Sequence, residues 1–513
     1  MQLRTLLVLL VAISTSLSYA QEKNDIYYAS LIDSTLMKEN LNTLASDEYE
    51  GRGNGDKGGE MAMNYIVANL KKNGIMAGNN KSYLQSIEAQ KSKTGDMRFL
   101  MDNFNYKRDF RYENAVGQDS IIQAEEVVFV GYGVYSRTYN DFSSVDINGK
   151  VIMKLGRQEG PANKAGVSYV FGGNDAPDFL KKNPPKAILE IREGYSDIYS
   201  YSYSRTVYKA DPSTVNSPTV QINERLANKI LEPSGKTVKQ IAHEIEQSGE
   251  GMSFSIPKDI LFTGTSQYED ANICNVVGFI EGSDLKNEYI VLSAHYDHLG
   301  NSYGSIKNGA DDNASGVAAL LETGRILAQA KKEGKGLRRS VILLFTVAEE
   351  DGLEGSKYYV NQPIYPLENT KYCVNVDMIG RLANARRDAN QDNNYVYVVN
   401  HKERSKSLVD INESVNRRTV NLELDYTYTV PGDSERFFYR SDQSNFSDKG
   451  IPSIMFTSGM HDDYHRPTDE AHLIDYNGAW KRAQLLLLLT WEIANREETR
   501  NDEVHSISIM MAE

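Results

Sequence analysis

Cysteine is scarce in this sequence, with only Cys274 and Cys373 among 513 residues. So few cysteines exclude a fold held together by many disulfides, which is the framework of small secreted domains. Both residues lie in apolar runs typical of strands, so we predict two buried thiols. One bridge between neighbouring strands stays open as the alternative.

The sequence also has few positively charged residues relative to acidic ones, and it has few long apolar runs. The 56 lysines and arginines are outnumbered by 70 aspartates and glutamates, which gives a formal net charge of -14. Because no basic stripe is available to neutralise phosphates, we expect no nucleic-acid partner. Past residue 20, no apolar run is long enough to cross a bilayer, so the sequence predicts no membrane span.

The first 20 residues have the pattern of a secretory signal peptide. Arg4 stands in a short polar start, residues 6–13 are apolar, and Ser18-Tyr19-Ala20 precedes a polar residue. No cysteine stands at the cleavage point, which disfavours a lipoprotein anchor. We therefore expect an exported protein, periplasmic or secreted.

The remaining chain divides by its pattern of apolar residues and turns. Amphipathic helical runs dominate the first part, and short strand-like runs separated by turn residues follow it. The predicted organisation is a signal peptide at 1–20, a first part of the main domain at 21–103, an inserted β-rich domain at 104–257, the second part of the main domain at 258–500 and a tail at 501–513. A stretch rich in Tyr and Ser at 195–208 fits an exposed strand and turn, or an aromatic rim on a substrate cleft.

Strands alternate with helices in the second part of the main domain. The strands are expected at 275–280, 289–294, 340–348, 372–376 and 451–457, and the helices at 314–330, 405–415 and 480–494. Such alternation predicts an α/β fold with a mostly parallel mixed sheet covered by helices.

Polar side chains follow several of these strands. Five of the eight histidines fall within 295–298 and 461–472, which is hard to explain by packing. His295 and Asp297 share one face of a strand, so the carboxylate can accept the proton of the ring nitrogen that does no chemistry. His298 is expected to point elsewhere. Open α/β sheets bind their ligands at strand ends of this kind.

These side chains are imidazoles and carboxylates, with no thiolate among them. Such a set suits Zn²⁺, with Co²⁺ or Mn²⁺ as alternatives, and disfavours iron–sulfur or copper sites. Two cations about 3.5–4 Å apart need a bridging carboxylate and a few terminal ligands. The set supplies both, so the sequence predicts a hydrolase with two metal ions.

Five motifs in order resemble a known family. They are His295-Tyr-Asp297, Gly309-Ala-Asp311-Asp-Asn-Ala-Ser-Gly316, Glu349-Glu350-Asp-Gly-Leu-Glu-Gly-Ser356, Asn375-Val-Asp377-Met and His465-Arg-Pro-Thr-Asp469. The chain is similar to the M28 metallopeptidases of aminopeptidase type with an inserted protease-associated (PA) domain. Residues 46–53 and 130–133 also resemble family segments, so the likeness spans nearly all of the mature chain.

The resemblance implies a role for each motif. Asp311 would bridge two Zn²⁺ ions, His295 and Asp377 would complete one site, and Glu350 and His465 would complete the other. Glu349 would be the general base, with Asp297 and Asp469 as partners of the two histidines. The family's Ser-Asp-His segment appears here as Ser441-Asp442-Gln443, so the resemblance implies no role for its third residue, Gln443.

The implied reaction is aminopeptidase hydrolysis of a peptide substrate, with a metal-bridged water as nucleophile. Alternatives on the same fold are a glutaminyl cyclase using one metal, or a metallocarboxypeptidase that binds a terminal carboxylate. A receptor-like binding protein without activity is the alternative outside enzymes.

Overall fold

The computed structural model describes residues 25–497 apart from 100–103, 105–108, 115–119, 136–138, 157–178, 181, 193–203, 209–216, 303 and 434. The predicted signal peptide and tail lie outside the described residues, as does most of 195–208. The chain forms two compact units: unit 1 comprises Met1–Ile87 and Asn272–Glu513, and unit 2 comprises Glu88–Ala271.

The secondary structure is mixed α and β. The strands are β1 (Met76–Ala77), β2 (Leu84–Ile87), β3 (Ala89–Phe99), β4 (Phe110–Asn114), β5 (Ser120–Val130), β6 (Val151–Leu155), β7 (Ala187–Ile191), β8 (Ser204–Tyr208), β9 (Thr219–Ile222), β10 (Ser253–Asp270), β11 (Ile273–Ile280), β12 (Leu285–His295), β13 (Asn301–Ser302), β14 (Ser305–Ile306), β15 (Arg339–Thr346), β16 (Thr370–Val376), β17 (Tyr395–Asn400), β18 (Glu423–Asp425) and β19 (Ser453–Thr457). The α-helices are α1 (Ser34–Leu44), α2 (Lys57–Lys72), α3 (Glu224–Leu231), α4 (Val238–Ser248), α5 (Gly316–Lys332), α6 (Glu354–Asn361), α7 (Asn384–Asp388), α8 (Lys406–Arg418), α9 (Gln443–Asp448) and α10 (Tyr476–Asn495).

Unit 1 is built on one large mixed sheet, with the strand order β1-β11-β15-β12-β16-β19-β17-β18 and β2 paired to β11. The central strands β15, β12, β16 and β19 run parallel, and β11 and β17 pair antiparallel on either side of them. Every residue of β15 is buried, as expected for a parallel strand covered on both faces.

Helices flank this sheet, and side chains fix where several of them begin. The Asp33 carboxylate accepts the N–H groups of Thr35 and Leu36 at the start of α1, and Asp475 caps α10 in the same way. Among the described residues, no helix combines the length and the apolar character needed to cross a membrane. The predicted α/β fold with a mixed sheet between helices is confirmed.

Unit 2 has its own sheet, in the order β4-β9-β7-β6-β5-β10-β3-β8. Its core is apolar, with Val127, Phe129 and Leu189 fully buried. The unit extends beyond the predicted range of 104–257 at both ends because β3 and β10 form a long antiparallel pair. It also contains α3 and α4, which the sequence interpretation left out. Its identity as a PA domain stays a prediction.

The two chain segments of unit 1 that flank the insert are paired with each other. Ile87 at the end of β2 lies opposite Ile273 at the start of β11 in an antiparallel register. Unit 2 is therefore inserted where unit 1 alone would need only a hairpin turn.

Candidate metal centre

Polar side chains follow the carboxyl ends of the parallel strands in unit 1. His295 is the last residue of β12, and Asp377 comes directly after β16. Glu349 and Glu350 follow β15 after a short turn. Because parallel strands end at the same edge of a sheet, these side chains lie close together.

Asp312 occupies the centre of this group. Its Oδ1 lies 3.3 Å from His295 Nε2, and its Oδ2 lies 3.2 Å from His465 Nε2. His295 Nε2 is also 3.3 Å from Asp377 Oδ1, and His465 Nε2 is 2.9 Å from Glu350 Oε2. Two sets of metal-ligand atoms therefore share the carboxylate of Asp312.

The sequence interpretation gave this central position to Asp311, and that placement is wrong by one residue. Asp311 Oδ1 accepts the Gly380 N–H at 2.6 Å, and its Oδ2 lies 3.4 Å from His461 Nε2. The helical turn is interrupted at Asp312, where φ is -102° and ψ is 92°, and at Asn313, so the two neighbouring carboxylates point in different directions. The central position, next to both histidines, belongs to Asp312.

The loop that carries Asp312 is held by Asp469. The Asp469 carboxylate accepts the N–H of Asp311 at 3.0 Å and the N–H of Asp312 at 3.1 Å. Asp469 was predicted to partner His465, and the structure contradicts this. In the described part of the chain, the other side-chain contact of Asp469 is with Arg381 Nη1 at 3.7 Å, and none is with His465.

Asp297 supports His295 in a different way from the one predicted. His295 Nδ1 lies 3.2 Å from the backbone carbonyl oxygen of Asp297, whereas the nearest oxygen of the Asp297 carboxylate is at 3.8 Å. The carboxylate accepts the Glu349 N–H at 3.3 Å instead. Asp297 therefore positions both the histidine and the chain that carries the adjacent glutamates.

His298 is a member of the site that sequence reasoning missed. Its Nδ1 lies 2.6 Å from Glu350 Oε1 and 3.7 Å from Asp312 Oδ2, and the side chain is fully buried. It was expected to point elsewhere because side chains alternate along a strand. However, β12 ends at His295, so that alternation no longer applies three residues later.

The pKa values of these groups are strongly shifted. Burial acts to lower the pKa of His295, but the surrounding carboxylates outweigh it and raise the pKa well above its ordinary value. The same balance raises the pKa of His465 to about 9. Burial acts to raise the pKa of Asp312, but the histidines hold it well below its usual range. Burial and neighbouring carboxylates raise the pKa of Glu349 well above normal. Shifted groups that cluster in this way are typical of a functional site.

The arrangement of buried atoms fits bound cations. His465 Nε2, His298 Nδ1 and Glu350 Oε1 are close to groups of opposite charge, yet in the described part of the chain none has an aligned hydrogen-bond partner. Buried polar atoms are normally satisfied, so such contacts point to a shared ligand. Nitrogen and oxygen donors in this mixture suit Zn²⁺. The residues present therefore fit a metal site.

Arg52 is fully buried and forms hydrogen bonds with the loops that carry the residues of the site. Its Nε donates to the carbonyl of Tyr296 at 2.8 Å, and its Nη1 donates to the carbonyls of Leu44 at 2.7 Å and Asn308 at 2.6 Å. Its Nη2 donates to the carbonyl of Gly309 at 2.8 Å. Burial lowers the pKa of Arg52 to about 10 despite nearby carboxylates. One guanidinium thus joins the chain before α2 to the chain segments around the ligands.

The sequence analysis gave the segment around Arg52 no role in the site, so its contact with the site was missed. A Cβ on Gly51, where φ is 69°, would lie 2.4 Å from the carbonyl oxygen of Lys307, so only glycine fits this close approach. Asn54 Nδ2 donates to Asp297 Oδ2 at 3.1 Å, and its Oδ1 accepts the Ala348 N–H at 3.2 Å. The available signal was the family resemblance of residues 46–53.

Gln443 stands where the family pattern has histidine, and its contacts are structural. Its Oε1 accepts a hydrogen bond from Asn375 at 3.1 Å, and its Nε2 donates to the carbonyl of Phe438 at 2.6 Å. The neighbouring Asp442 accepts the Thr346 hydroxyl at 2.5 Å. Both side chains are buried and bridge elements behind the site.

Comparison with known proteins identifies relatives of the chain. Residues 275–490 match peptidase family M28. A probable zinc metalloprotease of Pyricularia oryzae is 24% identical over 281 residues, which cover 48% of this chain and 55% of that protein. The chain spans about half the length, or less, of the first curated relatives that it matches.

Solved structures share the fold over most of the chain. The aminopeptidase from Aneurinibacillus sp. strain AM-1 has a TM-score of 0.54 at 18% identity and covers 93% of this chain and 97% of its own. BSAP, a zinc aminopeptidase from Bacillus subtilis, has a TM-score of 0.52 at 16% identity and covers 92% and 97%. Residues 275–490 therefore match peptidase family M28, and the chain shares its fold with these two solved structures.

Proposed function

We propose that the protein is an aminopeptidase that uses two Zn²⁺ ions, with Co²⁺ or Mn²⁺ as alternatives, to remove N-terminal residues from peptides. The observation that carries this proposal is the central position of Asp312, whose two oxygens face His295 and His465 separately. A carboxylate with a histidine at each of its oxygens suits two cations bound close together. The names of the relatives support zinc and aminopeptidase activity.

The distances support one set of residues for each cation. His295 and Asp377 would hold one ion, and Glu350 and His465 would hold the other, with Asp312 shared between them. Glu350 also contacts the buried His298 through its other oxygen, which would fix the orientation of its carboxylate.

Glu349 is the group proposed to move protons. When bound, the two cations would supply an acidified water and a Lewis acid for the scissile carbonyl. Glu349 lines the pocket beside Asp377 and would take the proton of the attacking water. It would then pass that proton to the leaving amine. The expectation of a free N-terminus rests on the solved structures of similar fold that are named aminopeptidases.

Two adjacent substitutions test these roles. Glu349→Gln keeps the size of the side chain but removes the base, so kcat should fall by about 10²–10⁴-fold while metal content stays that of the wild type. Glu350→Gln removes a charged ligand, so metal content should fall and excess Zn²⁺ should restore part of the rate. Metal content measured beside kcat decides between them. Loss of metal from Glu349→Gln with full retention in Glu350→Gln would reverse the assigned roles.

The alternatives are separated by substrate and by metal count. Active enzyme with a single metal ion would favour the glutaminyl cyclase reaction. Equal turnover of free and N-acetylated peptides would contradict aminopeptidase action and favour a carboxypeptidase. A metal-loaded protein that cleaves neither kind of peptide would favour the receptor-like alternative. Export through the N-terminal signal belongs to the same proposal, and cell fractionation tests it.

A further inference from the structure

A pocket of about 330 Å³ opens beside the proposed metal centre. Its lining has three parts: carboxylates (Asp312, Glu349, Asp377), an apolar wall (Met378, Phe437, Met455, Met460) and polar side chains at one side (Arg440, Ser441, Thr457, Tyr464). This volume includes space that is open to solvent, so the lining residues, and not the volume, indicate which ligand group the pocket accepts.

Arg440 is the cation of this lining, and it is exposed. Its Nη2 lies 3.2 Å from Tyr464 Oη, and its guanidinium lies 5.2 Å from the centroid of the Phe437 ring. Both contacts hold the planar group against aromatic faces and leave most of its five donors open. The guanidinium is therefore positioned without being neutralised.

Other arginines near this region have carboxylate partners. Arg381 Nη2 lies 2.6 Å from Asp463 Oδ2, and Arg404 Nη1 lies 3.1 Å from Asp448 Oδ1. Within the described residues, Arg440 forms no ion pair with any carboxylate of the chain. A positioned but unpaired arginine in a pocket is able to bind an anionic group of a ligand in a forked geometry.

The charges of the metal centre do not cancel this effect. This step of the inference rests on the proposed function. In that case, two divalent cations would balance the negative charges of four carboxylates, those of Asp312, Asp377, Glu349 and Glu350. The positive charge of Arg440 would then be uncompensated in the pocket. An acidic ligand group would meet attraction there, and a basic group would meet repulsion.

We propose that Arg440 is a specificity residue that selects peptides with an acidic N-terminal residue, glutamate or aspartate. The methylene groups of such a side chain would lie against Phe437 and the methionines, and its carboxylate would reach the guanidinium. A free C-terminal carboxylate of a dipeptide has the same chemistry. The side chain of the first residue is favoured because every aminopeptidase substrate places it beside the general base.

The test compares peptides that differ only in charge. The values of kcat/KM are measured for Glu-Ala-Ala-amide and Gln-Ala-Ala-amide with the zinc-loaded wild type, Arg440→Met, Arg440→Lys and Arg440→Glu. We expect the Glu/Gln ratio to fall about tenfold in Arg440→Met, as for loss of a charge-assisted hydrogen bond at a partly exposed site. Arg440→Lys should keep part of the ratio, and Arg440→Glu should shift preference towards Lys-Ala-Ala-amide. Arg404→Met is the matched control and should keep the wild-type ratio.

Each other outcome overturns the proposal in an identifiable way. An unchanged Glu/Gln ratio in Arg440→Met would show that Arg440 does not select the side chain. If the substitution slows free Leu-Ala but not Leu-Ala-amide, the arginine binds the C-terminal carboxylate instead. Failure of the wild type to cleave Glu-, Gln- and Leu-peptides alike would refute the proposed function itself.

Binding of free amino acids gives a second readout that needs no turnover. The zinc-loaded wild type should bind L-glutamate more tightly than L-glutamine in calorimetry, and Arg440→Met should remove the difference. Equal binding of both amino acids by the wild type would contradict the assigned role of Arg440.

Discussion

Two buried aspartates, Asp141 in unit 2 and Asp312 in unit 1, have opposite surroundings. Asp141 accepts backbone N–H groups from Tyr132 at 3.1 Å, Val134 at 2.9 Å and Met252 at 3.3 Å. The oxygens of Asp312 face the rings of histidines from distant parts of the chain. Burial is common to both residues, so burial alone does not mark a functional carboxylate. A functional carboxylate is marked instead by partners that are side chains from distant parts of the chain and that form no well-aligned hydrogen bonds with it.

The largest contrast is expected from replacing each aspartate by asparagine. Asp312→Asn should remove the shared ligand, lower metal content and reduce kcat/KM by about 10³-fold or more, since metal stabilisation of the transition state is worth several kcal/mol. Asp141→Asn should leave metal content as in the wild type. Inductively coupled plasma mass spectrometry beside peptide kinetics provides the measurement.

Asp311→Asn is the informative control, because the sequence favoured that residue as the bridge. It should lower the metal content less than Asp312→Asn does, since Asp311 accepts the N–H of Gly380 and contacts His461. If Asp311→Asn lost its metal while Asp312→Asn kept it, the central position assigned to Asp312 would have to be given up.

Buried side chains with a positive charge extend the contrast between the units. Arg52 in unit 1 donates to neutral carbonyls, whereas Lys154 in unit 2 lies 3.4 Å from the carboxylate of Glu190. Arg52→Met should leave several buried carbonyls without donors and lower the free energy of unfolding by about 3–5 kcal/mol. Arg52→Lys keeps the positive charge but loses the planar guanidinium with its several donors. It should therefore be more stable than Arg52→Met but less stable than the wild type.

Urea unfolding and chelator competition measure the two effects of Arg52 separately. Arg338→Met serves as a control, because Arg338 forms an exposed pair with Asp284 that is worth less than about 1 kcal/mol. A variant Arg52→Met as stable as Arg338→Met, with unchanged zinc affinity, would show that the guanidinium does not organise the site.

Asp141 predicts a smaller, pH-dependent effect. Burial raises its pKa from 3.8 to about 6, so between about pH 4 and 6 the folded protein binds more protons than the unfolded chain. The free energy of unfolding should therefore fall as pH rises through this window, by at most about 2–3 kcal/mol. Asp141→Asn should lack this slope. Equal slopes for both proteins in urea unfolding at pH 4, 5 and 6 would contradict the assignment.

The smallest effect is expected from removing unit 2. Replacing residues 88–272 by Asn-Gly would join Ile87 to Ile273 through a two-residue hairpin, for which their register is suited. Unit 1 should fold and cleave short peptides, and discrimination between short and long peptides should relax. Circular dichroism checks folding before a series of peptide lengths is compared. An unchanged length preference would show that the insert does not limit substrate size.

The sheet of unit 1 was largely predictable because its strands are apolar runs bounded by polar residues. The prediction of 372–376, for example, lies within Thr370–Val376. The helices of unit 2 were missed although signals were present. Thr237 and Gln240 form a capping box at the start of α4, which sequence spacing alone indicates.

The site was predictable in its residue types but not in its register. Asp311 and Asp312 are adjacent and chemically identical, and only the backbone angles of the loop decide which one faces the histidines. His298 lies past the end of its strand, where the alternation rule fails. Arg52 is distant in sequence, and the carbonyls that it binds leave no trace in the sequence pattern.

Arg52 also bears on the order of events during assembly. Its hydrogen bonds hold the carbonyls of Tyr296, Asn308 and Gly309 through contacts that involve no metal ligand side chain. The ordering entropy of these segments is thus lost when the chain folds, not when ions arrive. Zinc fingers represent the opposite case, in which metal binding drives folding. The metal site of the apoprotein should therefore be preorganised, and metal should bind after folding is complete.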